Sequence, residues 1–366
     1  MRDFSESPFL VIWETSQACD LACRHCRASA QTERHPDELT TREALALLGE
    51  IRALGDPLMV FTGGDPLKRP DLFELLKAST SLGLRTTVTP SATPLLTEQA
   101  VERFQDCGVS RMAISVDGPD AVTHDAFRGV AGSFDRSLLA LRHAALIGLE
   151  TQINTTVTRY NRHQLSEMAE LVERERARLW SVFFLVVAGR AQLSDDLTAE
   201  EYEEVFGFLC RTSLSAPFDI KTTEAQHYRR YVAQQRKKAG PGAVHASTQT
   251  SIQRQAGIKH GKGFVFVSHT GEIFPSGFLP VSAGNIRHTR LADAYRNSGL
   301  FQVLRDSDQL EGKCGLCEYR NLCGGSRSRA LALTGDYLQS DPRCVYIPSR
   351  LSQASGESRM HAAKAS

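Results

Sequence analysis

The chain has 366 residues, with 43 Lys plus Arg against 42 Asp plus Glu, a net charge of +1, and 41% hydrophobic and 23% charged residues. That balance excludes wholesale disorder and a surface given over to nucleic acid, and no apolar run is long enough to span a membrane. The polar start Met1-Arg2-Asp3-Phe4-Ser5-Glu6 lacks the form of a signal peptide, so a cytoplasmic chain of roughly two domains is expected.

Strand-like and helix-like runs alternate from Pro8 to about Arg190. Phe9-Leu10-Val11-Ile12-Trp13 reads as a strand, and Thr40 with Glu43 forms a capping box that opens a helix. A second strand over 58–61 ends at Gly63-Gly64, and Pro70-Asp71 start the next helix where no N–H is needed. A third strand over 85–88 precedes a helix from Thr97, and a fourth over 112–116 ends at Asp117-Gly118. A helix over 133–147 leads to a fifth strand over 151–157. Another over 163–177 leads to a sixth over 182–187, which ends at Gly189-Arg190. Six βα units imply an α/β fold, a parallel sheet covered by helices that forms a partial barrel with its chemistry at the C-terminal strand ends.

A further helix follows Thr198, capped by Glu201. Residues 225–262 then hold eight Lys or Arg and no Asp or Glu, which reads as a basic linker or lid. Within it, Arg229 and Arg230 are candidates to clamp substrate carboxylates or phosphates; a solvated connector is the plainer alternative. A hairpin is expected from Phe264–Val267 through Thr270-Gly271 to Ile273-Phe274, then a short helix over 291–304 and a frayed tail from about Leu351.

Seven of nine cysteines fall in two groups, Cys19, Cys23 and Cys26, and Cys314, Cys317, Cys323 and Cys344. In a reducing compartment such groups point to metal ligation, while Cys107 and Cys210 read as small buried hydrophobes. Three thiolates on one loop can hold three irons of a [4Fe–4S] cluster and leave the fourth open; structural zinc normally wants four protein ligands, and His25 is poorly spaced to be one. The four C-terminal thiolates suit either zinc or a [4Fe–4S] cluster, and spacing alone does not choose.

Taken together, these motifs resemble a radical S-adenosylmethionine (SAM) enzyme. Cys19-x3-Cys23-x2-Cys26 follows the first strand, and Gly63-Gly64-Asp65-Pro66 follows the second. The resemblance implies a partial (β/α)6 radical SAM barrel whose open iron binds SAM. It places Gly63, Gly64 and Asp65 at the SAM amino group and His25 near the adenine. It gives Ser115 and Asp117 ribose and carboxylate contacts, with Asn154, Thr156 and Gly189-Arg190-Ala191 as further cofactor contacts. Asp65 stands where Glu is usual. Glycines suit close approach of backbone to the cofactor, so Gly64 is expected to matter for SAM and not for iron.

The C-terminal cysteines, with Cys323-Gly324-Gly325-Ser326-Arg327 and Asp341-Pro342-Arg343-Cys344, resemble a SPASM or twitch extension, especially of the haem-modifying branch. This implies an auxiliary [4Fe–4S] cluster. Ser276 stands where several SPASM proteins carry another cysteine, which argues against a second auxiliary cluster. The expected divisions are 1–215 for the barrel, 216–262 for the basic linker or lid, 263–350 for the auxiliary domain with its hairpin, and 351–366 for the tail. The implied chemistry is reductive cleavage of SAM to a 5′-deoxyadenosyl radical that takes hydrogen from a small carboxylated metabolite such as a tetrapyrrole. A one-electron reductant such as flavodoxin or ferredoxin is the implied partner, with no nucleic acid or membrane. A ribosomal peptide is the alternative substrate; only 18 residues precede Cys19, where peptide maturases usually carry a recognition domain. A non-catalytic iron–sulfur or zinc regulator is the alternative of another class, and it leaves Gly63-Gly64 and Ser115-x-Asp117 unexplained.

Overall fold

The computed structural model describes residues 3–239 and 258–352. Its centre is a nine-stranded sheet: β1 (Leu10–Glu14), β2 (Leu58–Thr62), β3 (Arg85–Val88), β4 (Arg111–Ser115), β5 (Thr151–Val157), β6 (Leu179–Phe184), β7 (Asp219–Thr223), β8 (Phe264–Val267) and β9 (Ile273–Phe274). The order across the sheet is β7-β6-β5-β4-β3-β2-β1-β8-β9. All neighbours are parallel except the β8–β9 hairpin. Helices α1 (Thr41–Ala53), α2 (Leu72–Ser81), α3 (Glu98–Asp106), α4 (Ala121–Arg128), α5 (Ser133–Leu146), α6 (Leu165–Arg174) and α7 (Ala199–Thr212) alternate with the strands. This is the partial barrel expected from the alternation.

Period-2 side-chain alternation separates the core from the lumen. Val11, Trp13, Met59, Phe61, Met112, Ile114, Ile153, Trp180 and Val182 are buried in the main hydrophobic core. On the same strands Ile12, Val60, Thr62, Ala113, Ser115, Gln152, Asn154 and Thr156 line an interior cavity of about 600 Å³. The polar members of that inner row, on β2, β4 and β5, are suited to a ligand site.

Three elements differ from expectation. β6 starts three residues early, because Leu179, Trp180 and Ser181 already pair with both β5 and β7, while Leu185 and Val186 are buried beyond its end. Ser298 is extended and caps Phe301, so the predicted helix over 291–304 is two, α9 (Leu291–Asn297) and α10 (Gly299–Arg305). The expected linker from 216 is structured through residue 239: β7 extends the sheet, and α8 (His227–Ala239) follows it. Behind its cations α8 carries Tyr228 and Val232 at helical spacing, both buried in the core. Residues 240–257, the rest of the basic stretch, and 353–366 of the tail lie outside the described residues. Nor does the hairpin stand apart, since β8 adds parallel to β1.

Helices α11 (Gly312–Leu316) and α12 (Arg327–Thr334) carry the C-terminal cysteine segment. A buried arginine, ion-paired within that segment, secures it to the barrel. Arg329 Nη1 lies 3.0 Å from Asp341 Oδ2, and Nη2 donates to the carbonyl of Glu224 at 2.6 Å. Its guanidinium lies over the Tyr202 ring of α7 at 4.8 Å. Removing one partner of such a pair strands the other charge. Arg329→Met is therefore expected to destabilise the fold by about 3–5 kcal/mol. Thermal unfolding of anaerobically reconstituted protein measures it, and an unchanged melting temperature would contradict this role.

Candidate active site

The loop after β1 carries Cys19, Cys23 and Cys26, all of which line the cavity. Each sulfur receives an N–H: Leu21 N donates to Cys19 Sγ at 3.4 Å, Ala30 N to Cys26 Sγ at 3.4 Å, and Arg128 Nη1 to Cys23 Sγ at 3.6 Å. Donors aimed at sulfur suit an iron–sulfur ligand set. No fourth cysteine is among the cavity's lining residues, which fits a cluster with one iron open to another ligand.

The strand ends hold this loop by its backbone. Gly64 N donates to Ser16 O and Asp65 N to Ala18 O, both at 2.7 Å. A Cβ on Gly64 would sit 2.5 Å from Ala18 O and 2.6 Å from Gln17 O. Gly189, at φ +61°, is closer still, with its Cβ position 2.2 Å from Cys26 O. The glycines thus answer to the cysteine loop itself. Arg190 completes the strap: its N–H donates to Cys26 O and its Nε to Cys23 O, both at 3.0 Å.

Two of the expected carboxylate contacts are turned inward. Asp65 is fully buried and absent from the cavity lining. It accepts from Thr93 Oγ1 at 2.7 Å, Leu67 N at 3.1 Å and Ser91 N at 3.3 Å. Burial pushes its carboxyl up to about 6. Through Ser91, whose hydroxyl lies 3.5 Å from Cys19 Sγ, it positions the loop's first sulfur. Asp117 is likewise buried and off the cavity. It accepts from Thr156 N at 2.7 Å and pairs with Arg128, the residue that reaches Cys23. Both acids therefore act as positioning residues behind the wall.

The other expected contacts do reach the lumen. Ser115 and Asn154 are register partners on β4 and β5, and both line the cavity, as does Thr156. His25 lines it and stacks on Phe127 at 4.3 Å with planes 20° apart. Burial first, then the Arg128 and Arg190 charges, hold its imidazole well below the usual range, so it is neutral. Arg229 also lines the cavity and donates to Leu322 O at 3.4 Å. Burial lowers its guanidinium to about 10. Arg230 does not share this site. It pairs with Glu203 and lines a second, small pocket. The paired clamp read from adjacent arginines fails because consecutive helical residues point about 100° apart.

That second pocket gathers Cys314, Cys317, Cys323 and Cys344, with Lys313, His227 and Asp341. Among the described residues no three His, Cys, Asp or Glu stand close enough to hold a single metal ion. Ser276 Oγ donates to Glu224 Oε1 at 3.1 Å. Glu224 also receives Ser328 at 3.3 Å and faces His260 Nε2 at 3.2 Å. Burial alone would raise this carboxyl, but His260, Ser326 and Arg329 hold it at about 2.

Sequence reasoning missed Arg27, Ser91, Arg128, Lys221 and Lys259, all in the cavity wall. Lys221 could have been found by extending strand alternation past Arg190 and asking which cations face inward. Nothing in the spacing distinguishes Arg128, which ends a short helix.

The sequence pattern of the Radical SAM superfamily matches residues 13–172. The chain is 41% identical over 353 residues to the AdoMet-dependent heme synthase of Nitratidesulfovibrio vulgaris, covering 96% of each chain. It is 39% identical over 350 residues to the AdoMet-dependent heme synthase of Methanosarcina barkeri, covering 96% of this chain and all of that one. Streptococcus suis SuiB bound to S-adenosylmethionine shares the fold with a TM-score of 0.72 at 17% identity, over 93% of this chain and 78% of that one. The protein belongs to the radical SAM superfamily and is one of its enzymes, using SAM and a [4Fe–4S] cluster. No helix among the described residues is long and apolar enough to cross a membrane.

Cys19, Cys23 and Cys26 would hold the cluster beside SAM, and together these groups would supply hydrogen-abstracting radical chemistry. The chain's own contribution is placement and exclusion of water by a walled lumen. Gly64→Val forces the loop's carbonyls away and is expected to lower iron to about half of wild type, by ligand counting. Iron analysis after anaerobic reconstitution checks it; full iron with weakened SAM binding would restore the cofactor-only reading.

Proposed function

We propose that the enzyme acts on a carboxylated tetrapyrrole held in the barrel lumen. The observation that carries this reading is the cavity's mixture of apolar wall and unbalanced positive charge. Ile12, Val60, Phe183, Phe264, Phe266 and Phe278 supply flat apolar surface. Arg85, Lys221, Arg229 and Lys259 face the same space with no carboxylate within ion-pair distance among the described residues. The acids of the wall are engaged, Glu150 by Arg111 and Glu224 by His260. An apolar macrocycle edged with carboxylates matches both features. The kinship with AdoMet-dependent heme synthases supports the same class. An extended peptide would not explain four cations around one cavity without an ion-pair partner among the described residues.

In this reading Cys19, Cys23 and Cys26 ligate the SAM-binding cluster. Gly63, Gly64 and Arg190 fix the loop. His25, Ser115, Asn154 and Thr156 face SAM. Cys314, Cys317, Cys323 and Cys344 hold an auxiliary [4Fe–4S] cluster. Four thiols around one pocket in a radical SAM chain favour a cluster over zinc. Arg229 spans from the cavity wall to the carbonyl beside Cys323, so the auxiliary pocket adjoins the substrate space. That proximity suits electron exchange with bound substrate. A small one-electron donor such as flavodoxin or ferredoxin supplies the first electron, in the reducing cytoplasm that keeps these cysteines as thiols.

Reconstituted without oxygen, the enzyme is expected to hold about eight irons, counted from the two ligand sets. Given SAM, dithionite and iron coproporphyrin III, it should form 5′-deoxyadenosine and change the porphyrin's mass. Stoichiometric zinc would remove the auxiliary cluster, and an unchanged porphyrin would remove the substrate class. Arg229→Ala should raise KM roughly tenfold or more, the loss of one charge-assisted contact. An unchanged KM would take Arg229 out of the substrate site.

A further inference from the structure

The unpaired cations of the lumen stand in two places. Arg229 and Lys259 adjoin the C-terminal cysteine segment, Arg229 through Leu322 and Lys259 through the hydroxyl of Ser307. Arg85 and Lys221 lie elsewhere, with Arg111. Arg85 and Arg111 are the first residues of β3 and β4, so they stand at the N-terminal mouth of the lumen. The cysteine loop follows the C-terminal end of β1, at the opposite mouth.

Lys221 is the telling member. It projects from β7 into the cavity and has no hydrogen-bond or ion-pair acceptor among the described residues. Arg111 is close enough for its charge to act on Lys221. Burial first, then that like charge, bring the Lys221 ammonium down to about 8. Arg111 is already half-neutralised, donating to Glu150 Oε2 at 2.7 Å from Nη2 and 3.2 Å from Nε. Lys221 and Arg85 have no such partner among the described residues. Like charges brought this close repel, and an anion that joins them offsets that cost.

We propose that Lys221, with Arg85 and Arg111, is an anchor for substrate carboxylates on the edge that faces away from the cysteine loop. This rests on the tetrapyrrole reading and adds the orientation it lacks. Carboxylates seated at this mouth are remote from the site of hydrogen abstraction and are left in place by the reaction. The side chains that react are then those pointing at the cysteine loop. The anchor acts as a specificity determinant, by charge and by position.

Anaerobic Soret titration of the reconstituted enzyme tests it, with iron coproporphyrin III and its tetramethyl ester as probes. Lys221→Met should weaken binding of the free acid roughly tenfold or more and leave the ester unchanged. Lys221→Arg, which keeps the charge, should restore most of the loss. Equal weakening of acid and ester in Lys221→Met marks a structural role and overturns the anchor, as does unaltered acid binding. If wild-type enzyme binds neither probe, the tetrapyrrole reading fails and the anchor falls with it.

Discussion

The cysteine loop must lie flush against the strand ends, and much of the architecture follows from that requirement. Carbonyls of residues 16–18 meet the β2 end at Gly63 and Gly64, and those of Cys26 and Arg27 meet the turn at Gly189. No side chain fits at these crossings. Backbone hydrogen bonds from Gly64, Asp65 and Arg190 fix the loop from two sides of the barrel. The buried acids then secure what the backbone leaves free. Asp65 orders Ser91 beside Cys19, and Asp117 orders Arg128 beside Cys23. The sulfurs are thereby preset, which spares a metal site the cost of ordering its ligands.

A second constraint concerns what fills the barrel. A closed barrel of this kind packs its centre with branched side chains. Here β5 turns Gln152, Asn154 and Thr156 inward and puts Ile153 and Val157 in the core. The inner face gives up packing for a space that accepts a ligand. Positive charge around that space, opposed only by acids already engaged, raises affinity for an anionic guest and speeds its entry. The C-terminal cysteine segment lies behind the wall of this space, where Arg229 reaches the Leu322 carbonyl. Its attachment through Arg329, Asp341 and the carbonyl of Glu224 sets how near its cysteines come.

Much of the barrel could be read from the chain because its signals are local. Capping boxes at Thr40 and Thr198 are present as the sequence implies, and short apolar or β-branched runs mark β1 to β5. The cysteines, His25, Ser115 and Asn154 could be placed because a strand end or a fixed spacing defines each. Asp65 and Asp117 were located but not oriented, since sequence does not tell whether a carboxylate faces a ligand or a neighbour's guanidinium. The cations of the wall escaped for the opposite reason. Arg27, Arg85, Lys221 and Lys259 are far apart in the chain, and only sheet closure brings them to one space. Composition made α8 look like a connector, because its cations outnumber the few apolar residues that bury it.

The central claim is that hydrogen leaves a carboxylated tetrapyrrole held inside this lumen. Iron coproporphyrin III deuterated on its carboxyethyl side chains, turned over anaerobically with SAM and a one-electron reductant, tests this most directly. Mass spectrometry of the 5′-deoxyadenosine is the readout. The account predicts deuterium in the 5′-deoxyadenosine, matched by loss of label from the porphyrin. Unlabelled 5′-deoxyadenosine formed beside an unaltered porphyrin would contradict it.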